Sequence, residues 1–209
     1  MSKTKKRFSR IIGVSLIILL FVAILVAGAS AATMGPRYPG TGTSVNRGTS
    51  PSAYPSWSNP ARIVSDNNSY ARVYIDDDDD QSDYLYASNF GFNIPTDATI
   101  NGITVDIGRY ASHSNVIHDE TVQLYNGSIN LGNNKARSSR WSTSETMATY
   151  GGDSDTWGVT LTPDDINNSN FGVLLAVTRD RDKTTAYVDY IRLTVTYTEA
   201  ASQVQVSYD

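Results

Sequence analysis

Alternation of apolar and polar residues recurs after residue 68 and constrains the fold more than any other feature. Ile103, Val105 and Ile107 alternate with polar residues or glycine, and the same period of two returns at 191–197. Such alternation gives a β-strand one buried face and one solvent-facing side. Strand-like stretches occur at 69–75, 82–92, 98–111, 120–129, 171–180 and 184–198. Half-buried strands at this spacing predict an all-β fold, an antiparallel β-sandwich.

Turn signals separate these stretches. Residues 95–97 (Pro-Thr-Asp) precede a strand, and the Asn-Gly dipeptide at 126–127 is a strong hairpin signal. Thr162 can cap a single helical turn that begins at Pro163, because proline fits the first position of a helix. We expect this turn to be a connector that carries no chemistry.

The first 32 residues have the three parts of an export signal. A basic segment ends at Arg10, an apolar run extends over 11–28, and 29–31 have the small side chains that signal peptidase recognises. We expect cleavage after Ala31 or Ala32. The alternative is an uncleaved hydrophobic helix that anchors the chain, since such a run can just span a bilayer. Either way the following domain is secreted or at the cell surface, and it contacts a membrane only through an uncleaved N-terminus.

The remaining sequence divides into a linker and one domain. Residues 33–56 are rich in Gly, Pro, Ser and Thr without an apolar period, so we expect a flexible linker there. The sandwich domain then occupies 57–209, and its tail places Val204, Val206 and Tyr208 on one face of a further strand. That strand is an edge strand of the same domain, or it pairs with a neighbouring subunit by strand addition.

Removal of the signal leaves an acidic domain. The chain has 17 basic and 21 acidic residues, and five of the basic ones lie within 1–31, which contain no acid. The remaining 12 basic and 21 acidic residues give a net charge of −9. Such a surface repels phosphate backbones, so we expect no nucleic-acid partner. The chain has no cysteine, which excludes disulfides, thiolate zinc sites and cysteine nucleophiles.

Four sequence blocks occur in an order that resembles a family of uncharacterised β-sandwich domains in secreted bacterial, archaeal and phage proteins. The blocks are FGFNIPTDATINGITVDI (90–107), TYGGDSDTWG (149–158), LTPDDINNSNFGVLL (161–175) and AYVDYIRLTVTYT (186–198). The resemblance covers about residues 57–198 and implies a jelly-roll-like sandwich used as a building block of surface or fibre proteins. It implies no catalytic residue, because the family has no settled activity.

An acidic run is the strongest candidate for a metal site. Between two predicted strands lie Asp76, Asp77, Asp78, Asp79, Asp80 and Asp83. Oxygen ligands in a flexible loop suit calcium, although the spacing differs from that of an EF-hand, and a solvated acidic turn is the alternative. Asp189 is also unusual, since strict alternation places it on the buried face of Ile191 and Leu193. It accepts backbone N–H groups or binds a metal there, unless a bulge returns it to solvent.

Aromatic side chains are candidates for glycan binding. Trp57, Trp141 and Trp157 could offer flat faces to sugar rings. The alternative is that they fill the sandwich core, where each indole N–H still finds a hydrogen-bond partner. Three N-x-S/T sequons in predicted turns are candidate glycosylation sites: Asn67, Asn126 and Asn167.

No sequence pattern indicates an enzyme. GxSxG, HExxH and phosphate-cradling loops are absent, and the spacing of His113 and His118 is not a metal motif. The first hypothesis is a non-enzymatic, self-assembling extracellular subunit of a surface layer, fibre or matrix. The second is a glycan- or calcium-dependent adhesion module with acids and aromatics in its loops. The third is a hydrolase whose site the sequence does not reveal.

Overall fold

The predicted strand segments form strands of an all-β fold, and further strands lie outside these segments. The computed structural model describes residues 25–26, 28–48, 54–76, 81–201 and 203–204. The strands of this part are β1 (Leu25–Val26), β2 (Ser30–Arg37), β3 (Thr41–Val45), β4 (Ala71–Ile75), β5 (Tyr84–Ser88), β6 (Thr99–Ala111), β7 (Ile117–Tyr125), β8 (Asn130–Leu131), β9 (Thr146–Gly152), β10 (Gly172–Arg179), β11 (Thr184–Glu199) and β12 (Gln203–Val204). A 3-10 turn covers Pro60–Ile63, and the short helix α1 covers Pro163–Asn167.

Ten of these strands form two antiparallel sheets. The strand order of the first sheet is β3-β5-β10-β7-β8. In the second sheet, β11 and β6 are central and β9 lies beside β6. β2 and β4 share the other side of β11: β4 pairs with residues 184–188 and β2 with residues from 193 to 199. β1 and β12 pair only with each other among the described strands.

The predicted alternation is confirmed, because the apolar positions of both sheets point into one core. Ile103, Val105 and Ile107 of β6 are fully buried, and so are Val173 and Leu175 of β10. Residues of the two sheets belong to the same buried cluster, so the sheets pack face to face. Burial of this apolar surface is the main favourable contribution to folding.

The turn predictions are also confirmed. The Ala98 N–H donates to the Pro95 carbonyl at 3.0 Å, which closes the turn before β6. Residues 126–129 connect β7 to β8 as a hairpin. Thr162 caps α1 in a capping box with Asp165: each side chain accepts a hydrogen bond from the other residue's backbone N–H.

The predicted linker at 33–56 is wrong, because most of β2 and all of β3 lie within it. β3 pairs residue by residue with β5, and β2 pairs with the edge of β11. Neither strand needs an apolar stripe, since backbone pairing at a sheet edge holds it. The glycine content has a packing reason, because a Cβ at Gly42 would overlap the Pro60 carbonyl of the 3-10 turn.

The predictions for both termini fall partly outside the described residues. β1 lies within the predicted apolar run, and residues 1–24 are outside the described part. Among the described residues, no helix is long and apolar enough to cross a membrane. Gln203 and Val204 of the tail form a strand as expected, while residues 205–209 are also outside the described part.

A buried ion pair crosses the core between the sheets. The Asp119 carboxylate of β7 accepts hydrogen bonds from Arg109 Nη1 at 2.5 Å and from the Tyr150 hydroxyl at 2.7 Å. Trp141 Nε1 donates to it at 2.9 Å and the Arg137 backbone N–H at 3.0 Å. The Arg109 guanidinium also lies over the Trp141 ring, 4.3 Å from its centroid. Four donors therefore compensate the burial of this charge.

Candidate binding face

The three tryptophans lie in the core and not at a surface. Trp57, Trp141 and Trp157 are 3%, 4% and 0% exposed. The indole N–H of Trp57 donates to the Asp83 carbonyl, and that of Trp157 donates to the Ile103 carbonyl, both at 2.9 Å. The prediction that these rings stack on sugars is therefore wrong. The alternative, in which they fill the core with satisfied N–H groups, is confirmed.

The predicted calcium loop is described only at its ends. Asp76 is half-buried and Asp83 is buried, whereas 77–80 lie outside the described residues. The Asp83 carboxylate accepts a hydrogen bond from the Arg47 backbone N–H at 3.3 Å. Calcium binding by this loop therefore stays a prediction.

Asp189 lies at a β-bulge in β11. The register of β11 against β6 shifts between Val188 and Tyr190, and Asp189 is the residue inserted there. Its side chain is fully buried and accepts backbone N–H bonds from residues 67–69 at 3.0 to 3.4 Å. Of the predicted roles, acceptance of loop N–H groups is confirmed. The carboxylate thereby fixes the loop that leads into β4.

Asp66, Glu145 and Asp189 form the one acidic cluster among the described residues that has metal-ligand spacing. Both Asp189 oxygens already accept backbone N–H bonds, and Glu145 accepts the Tyr70 hydroxyl at 2.9 Å. A cation would compete with these donors for the same lone pairs. The arrangement is thus explained as a hydrogen-bonded loop anchor.

The three sequons occupy different environments. Asn67 and Asn126 are exposed, as an acceptor for glycosylation must be. Asn167 is half-buried, and its amide is engaged on Ile94: Oδ1 accepts from the backbone N–H at 2.8 Å and Nδ2 donates to the carbonyl at 2.9 Å. Glycosylation stays a prediction at all three, and the geometry favours the first two.

The two histidines lie in different environments. His113 is exposed in the loop between β6 and β7, and His118 is half-buried in β7. Burial, followed by the nearby Arg140 guanidinium, lowers the pKa of His118 below its ordinary value, against the attraction of Asp180. His118 is therefore neutral at physiological pH.

The outer side of the second sheet carries a set of tyrosines that the sequence analysis did not identify as a site. We call this surface the tyrosine face, and it consists of Tyr38, Tyr70, Tyr74, Tyr110, Tyr187 and Tyr190. Tyr74 is 52% exposed and Tyr190 is buried, whereas the other four are half-buried. The face therefore combines an ordered aromatic layer with at least one ring open to solvent.

The register of the strands brings two tyrosines of this face and one arginine side by side. Tyr187 of β11 lies opposite Arg72 of β4 on one side and opposite Tyr110 of β6 on the other. The Tyr110 and Tyr187 rings stack with centroids 4.5 Å apart and planes inclined by 4°. Tyr70 packs edge-on to both rings. Since Tyr110 covers one side of the Tyr187 ring, the opposite side turns towards β4.

Further along β11 the same face carries Tyr190 and Tyr38 and then ends at a polar pair. Tyr190 lies over Gly108, where a Cβ would overlap its ring, so glycine is needed for this close approach. Tyr38 packs edge-on to Tyr190. Arg192 Nε donates to the Asp106 carboxylate at 3.1 Å, and this pair ends the aromatic region.

The phenols of Tyr70, Tyr110 and Tyr190 remain protonated at neutral pH. Burial raises the pKa of Tyr110 and of Tyr190. Burial also raises the pKa of Tyr70, and its hydrogen bond to the Glu145 carboxylate raises it further. These hydroxyls can therefore donate and accept hydrogen bonds to a neutral or charged ligand.

A groove of about 240 Å³ opens on the β4 side of Tyr187. We call it the Arg72 groove, and it is lined by Ser58, Arg72, Tyr74, Thr185 and Tyr187. Arg72 is the one charged residue in this lining, and among the described residues no carboxylate forms an ion pair with it. Two phenol rings, two aliphatic hydroxyls and a guanidinium thus converge on one concave site.

A larger groove of about 650 Å³ lies at one end of the sandwich, between the start of β6 and the segment before α1. Threonines and aliphatic side chains line it, and none of the described lining residues is aromatic. Asp164 is the one charged residue among the described residues of this lining. This groove offers less specific chemistry than the Arg72 groove.

One sequence signal for the tyrosine face was present. The solvent-side positions of β4 hold Arg72 and Tyr74, and those of β11 include Tyr187, where a strand usually has small polar residues. The alternation predicts that each of these side chains points outward. It does not predict that β4 and β11 are neighbours, which is what creates the groove.

No family model matches the chain, and no curated protein has significant similarity to it. The resemblance to secreted β-sandwich domains therefore stays a prediction.

Proposed function

We propose that this protein is a non-enzymatic, extracellular binding module that contacts glycans through its tyrosine face. The observation that carries the proposal is the Arg72 groove, where rings and hydrogen-bonding groups converge on an open surface of the second sheet. Sugars have apolar C–H faces and polar edges, so they suit aromatic rings flanked by hydroxyls. The location rests on the predicted export signal.

The strand order supports a jelly-roll assignment for this module. The eight strands from β4 to β11 are divided equally between the two sheets. Their spatial orders are β4-β11-β6-β9 in one sheet and β5-β10-β7-β8 in the other. An eight-stranded jelly roll has the same pair of strand orders, and β2 and β3 would each add one strand to it. Lectin domains are among the proteins that use this architecture. Architecture alone does not establish an activity, and the Arg72 groove supplies the chemistry that a glycan would contact.

The proposal is tested by binding to a glycan array. Because the full-length chain includes the apolar run at 11–28, it is kept in a detergent. A detergent without sugar groups is used, so that the detergent does not compete for the site. Tyr187→Ala is compared with Tyr125→Ala, because Tyr125 is also a half-buried tyrosine, packs edge-on to Tyr86 and lies on the first sheet. We expect Tyr187→Ala to abolish glycan binding and Tyr125→Ala to retain it. A wild-type chain that retains no glycan, or two variants that bind alike, would refute the proposal.

A second candidate function is self-assembly through the C-terminal strand. Among the described strands, β12 pairs with β1, and β1 lies within the predicted signal. Cleavage after Ala31 or Ala32 would remove β1 and leave β12 to pair elsewhere. An unpaired strand adds readily to the edge of a neighbouring sheet.

Self-assembly is tested on the protein as it is exported, with N-terminal sequencing to locate any cleavage. Light scattering and negative-stain microscopy are expected to show oligomers or filaments. Val204→Pro removes a backbone donor from β12 and should return the protein to monomers. Ala201→Pro, outside the strand, is the matched control and should leave assembly intact. A monomeric exported wild type would exclude this second function.

A further inference from the structure

We propose that the Arg72 groove binds an acidic sugar residue, in which a carboxylate pairs with Arg72 and the ring lies against Tyr187. This inference rests on the proposed function and names its ligand class. Its first support is the guanidinium itself, which is exposed and has no carboxylate partner among the described residues. Arginine forms two parallel hydrogen bonds with a carboxylate, so an anionic ligand completes the geometry.

The charge around Arg72 strengthens this argument. Outside residues 1–31 the chain has 12 basic and 21 acidic residues, so acids are plentiful on its surface. Some other arginines are paired with acids, namely Arg47 with Glu120, Arg140 with Asp180 and Arg192 with Asp106, whereas Arg37, Arg62 and Arg137 form no ion pair with a described carboxylate. Arg72 is distinguished by its position in a groove that no acid among the described residues lines.

The remaining lining selects a sugar over a small inorganic anion. Tyr187 turns one ring side towards β4, and Tyr74 adds a ring that is half open to solvent. These rings can contact the C–H groups of a pyranose, while Ser58 and Thr185 can exchange hydrogen bonds with its hydroxyls. A volume of about 240 Å³ is below the usual range for drug-sized ligands, about 300 to 1,000 Å³, and suits one sugar residue of a longer chain.

Calorimetry distinguishes this ligand class from others. Oligomers of a uronic acid, of the corresponding neutral sugar and of a sulfated sugar are titrated into the full-length chain in sugar-free detergent, with poly-glutamate as an acidic peptide. We expect the uronate oligomer to bind more tightly than the other three. Arg72→Gln should weaken uronate binding by about ten-fold or more, since a hydrogen-bonded charge is lost, and should remove the preference over the neutral sugar.

Two further variants keep the test specific. Tyr74→Ala should weaken both the uronate and the neutral sugar, because it removes ring contact without removing charge. Arg62→Gln changes an exposed arginine outside the groove lining and should stay within about two-fold of wild type. Thermal unfolding of each variant verifies that the fold is retained.

The outcomes separate this inference from the proposed function. Equal binding of uronate and neutral oligomers, unaffected by Arg72→Gln, would overturn the inference and leave glycan binding intact. Tighter binding of the sulfated sugar or of poly-glutamate would also overturn it. If no sugar binds, the proposed function fails as well.

Discussion

Replacing Asp119 with asparagine should destabilise the protein more than any other single isosteric change in the described core. The substitution keeps the shape of the side chain and removes the charge that faces Arg109. Arg109 and Asp119 are both buried, with 7% and 0% side-chain exposure, so water cannot take over the role of the lost partner. Arg137, Trp141 and Tyr150 also donate hydrogen bonds to this carboxylate. The NH2 group of asparagine is itself a donor, so one of these three donors would lose its acceptor.

Breaking a buried ion pair by removing one partner costs about 3 to 5 kcal/mol, because it leaves an uncompensated charge. For a chain of this size, about 1 kcal/mol corresponds to about 2 to 4 °C in melting temperature. Asp119→Asn should therefore lower the Tm by about 6 to 20 °C. Tyr150→Phe removes one hydrogen bond to the same carboxylate and should cost only about 1.5 to 3 kcal/mol.

Urea unfolding followed by tryptophan fluorescence measures both free energies, because Trp141 itself contacts the cluster. Asp97→Asn is the matched control, since Asp97 is exposed in the turn before β6, and it should change stability by less than about 0.5 kcal/mol. A loss below about 1 kcal/mol for Asp119→Asn would refute the reasoning, because a buried Arg109 could then persist without its counter-charge. A larger loss for Tyr150→Phe than for Asp119→Asn would refute the assigned order.

Three other changes test local features of the fold. Because burial lowers the folded-state pKa of His118 below the ordinary value of 6.5, the unfolded chain binds more protons as the pH falls through that value. The unfolding free energy should therefore fall between about pH 7.5 and about pH 5.5, and His118→Gln should reduce that fall relative to wild type. Gly108→Ala should cost about 1 to 3 kcal/mol in urea unfolding, because its methyl group overlaps the Tyr190 ring; an unchanged midpoint would contradict this packing. Asp189→Asn should cost about 1 to 3 kcal/mol and speed amide hydrogen exchange at residues 67–69, whereas unchanged protection there would show that the carboxylate does not anchor the loop.

The sequence predicted the strands that have a period of two and missed those that lack it. β6 and β11 were predicted because each buries a row of aliphatic residues. β2, β3 and β9 were missed, since these edge strands are held by backbone pairing that leaves no mark in the composition. β10 shows a different limit: Leu174 is buried on the face opposite Leu175, with Tyr86 and Gln123 as its cross-strand neighbours, so alternation alone does not give the exposure of that face.

The candidate site was harder to predict, because it depends on which strands are neighbours. The tryptophans were predicted to bind sugars because they are large aromatic residues, yet it is this size that fills the core. The tyrosine face instead consists of residues far apart in the chain, and Arg72 meets Tyr187 only through the pairing of β4 with β11. Alternation fixes the direction of each side chain but not its partner across the sheet. Asp189 could be predicted more closely, since a buried acid in an apolar row requires hydrogen-bond donors.

Tyr74 separates the requirements of folding from those of binding. Its ring is 52% exposed on the outer side of the edge strand β4, so it adds little to the core. A threonine at this position suits a strand equally well, and Tyr74→Thr should change the unfolding free energy by less than about 0.5 kcal/mol. Glycan binding should nevertheless fall, because one of the two rings of the Arg72 groove is lost. Paired urea-unfolding and calorimetric measurements on this variant decide the matter: a loss of stability without a loss of binding would show that the ring serves the fold and not a ligand.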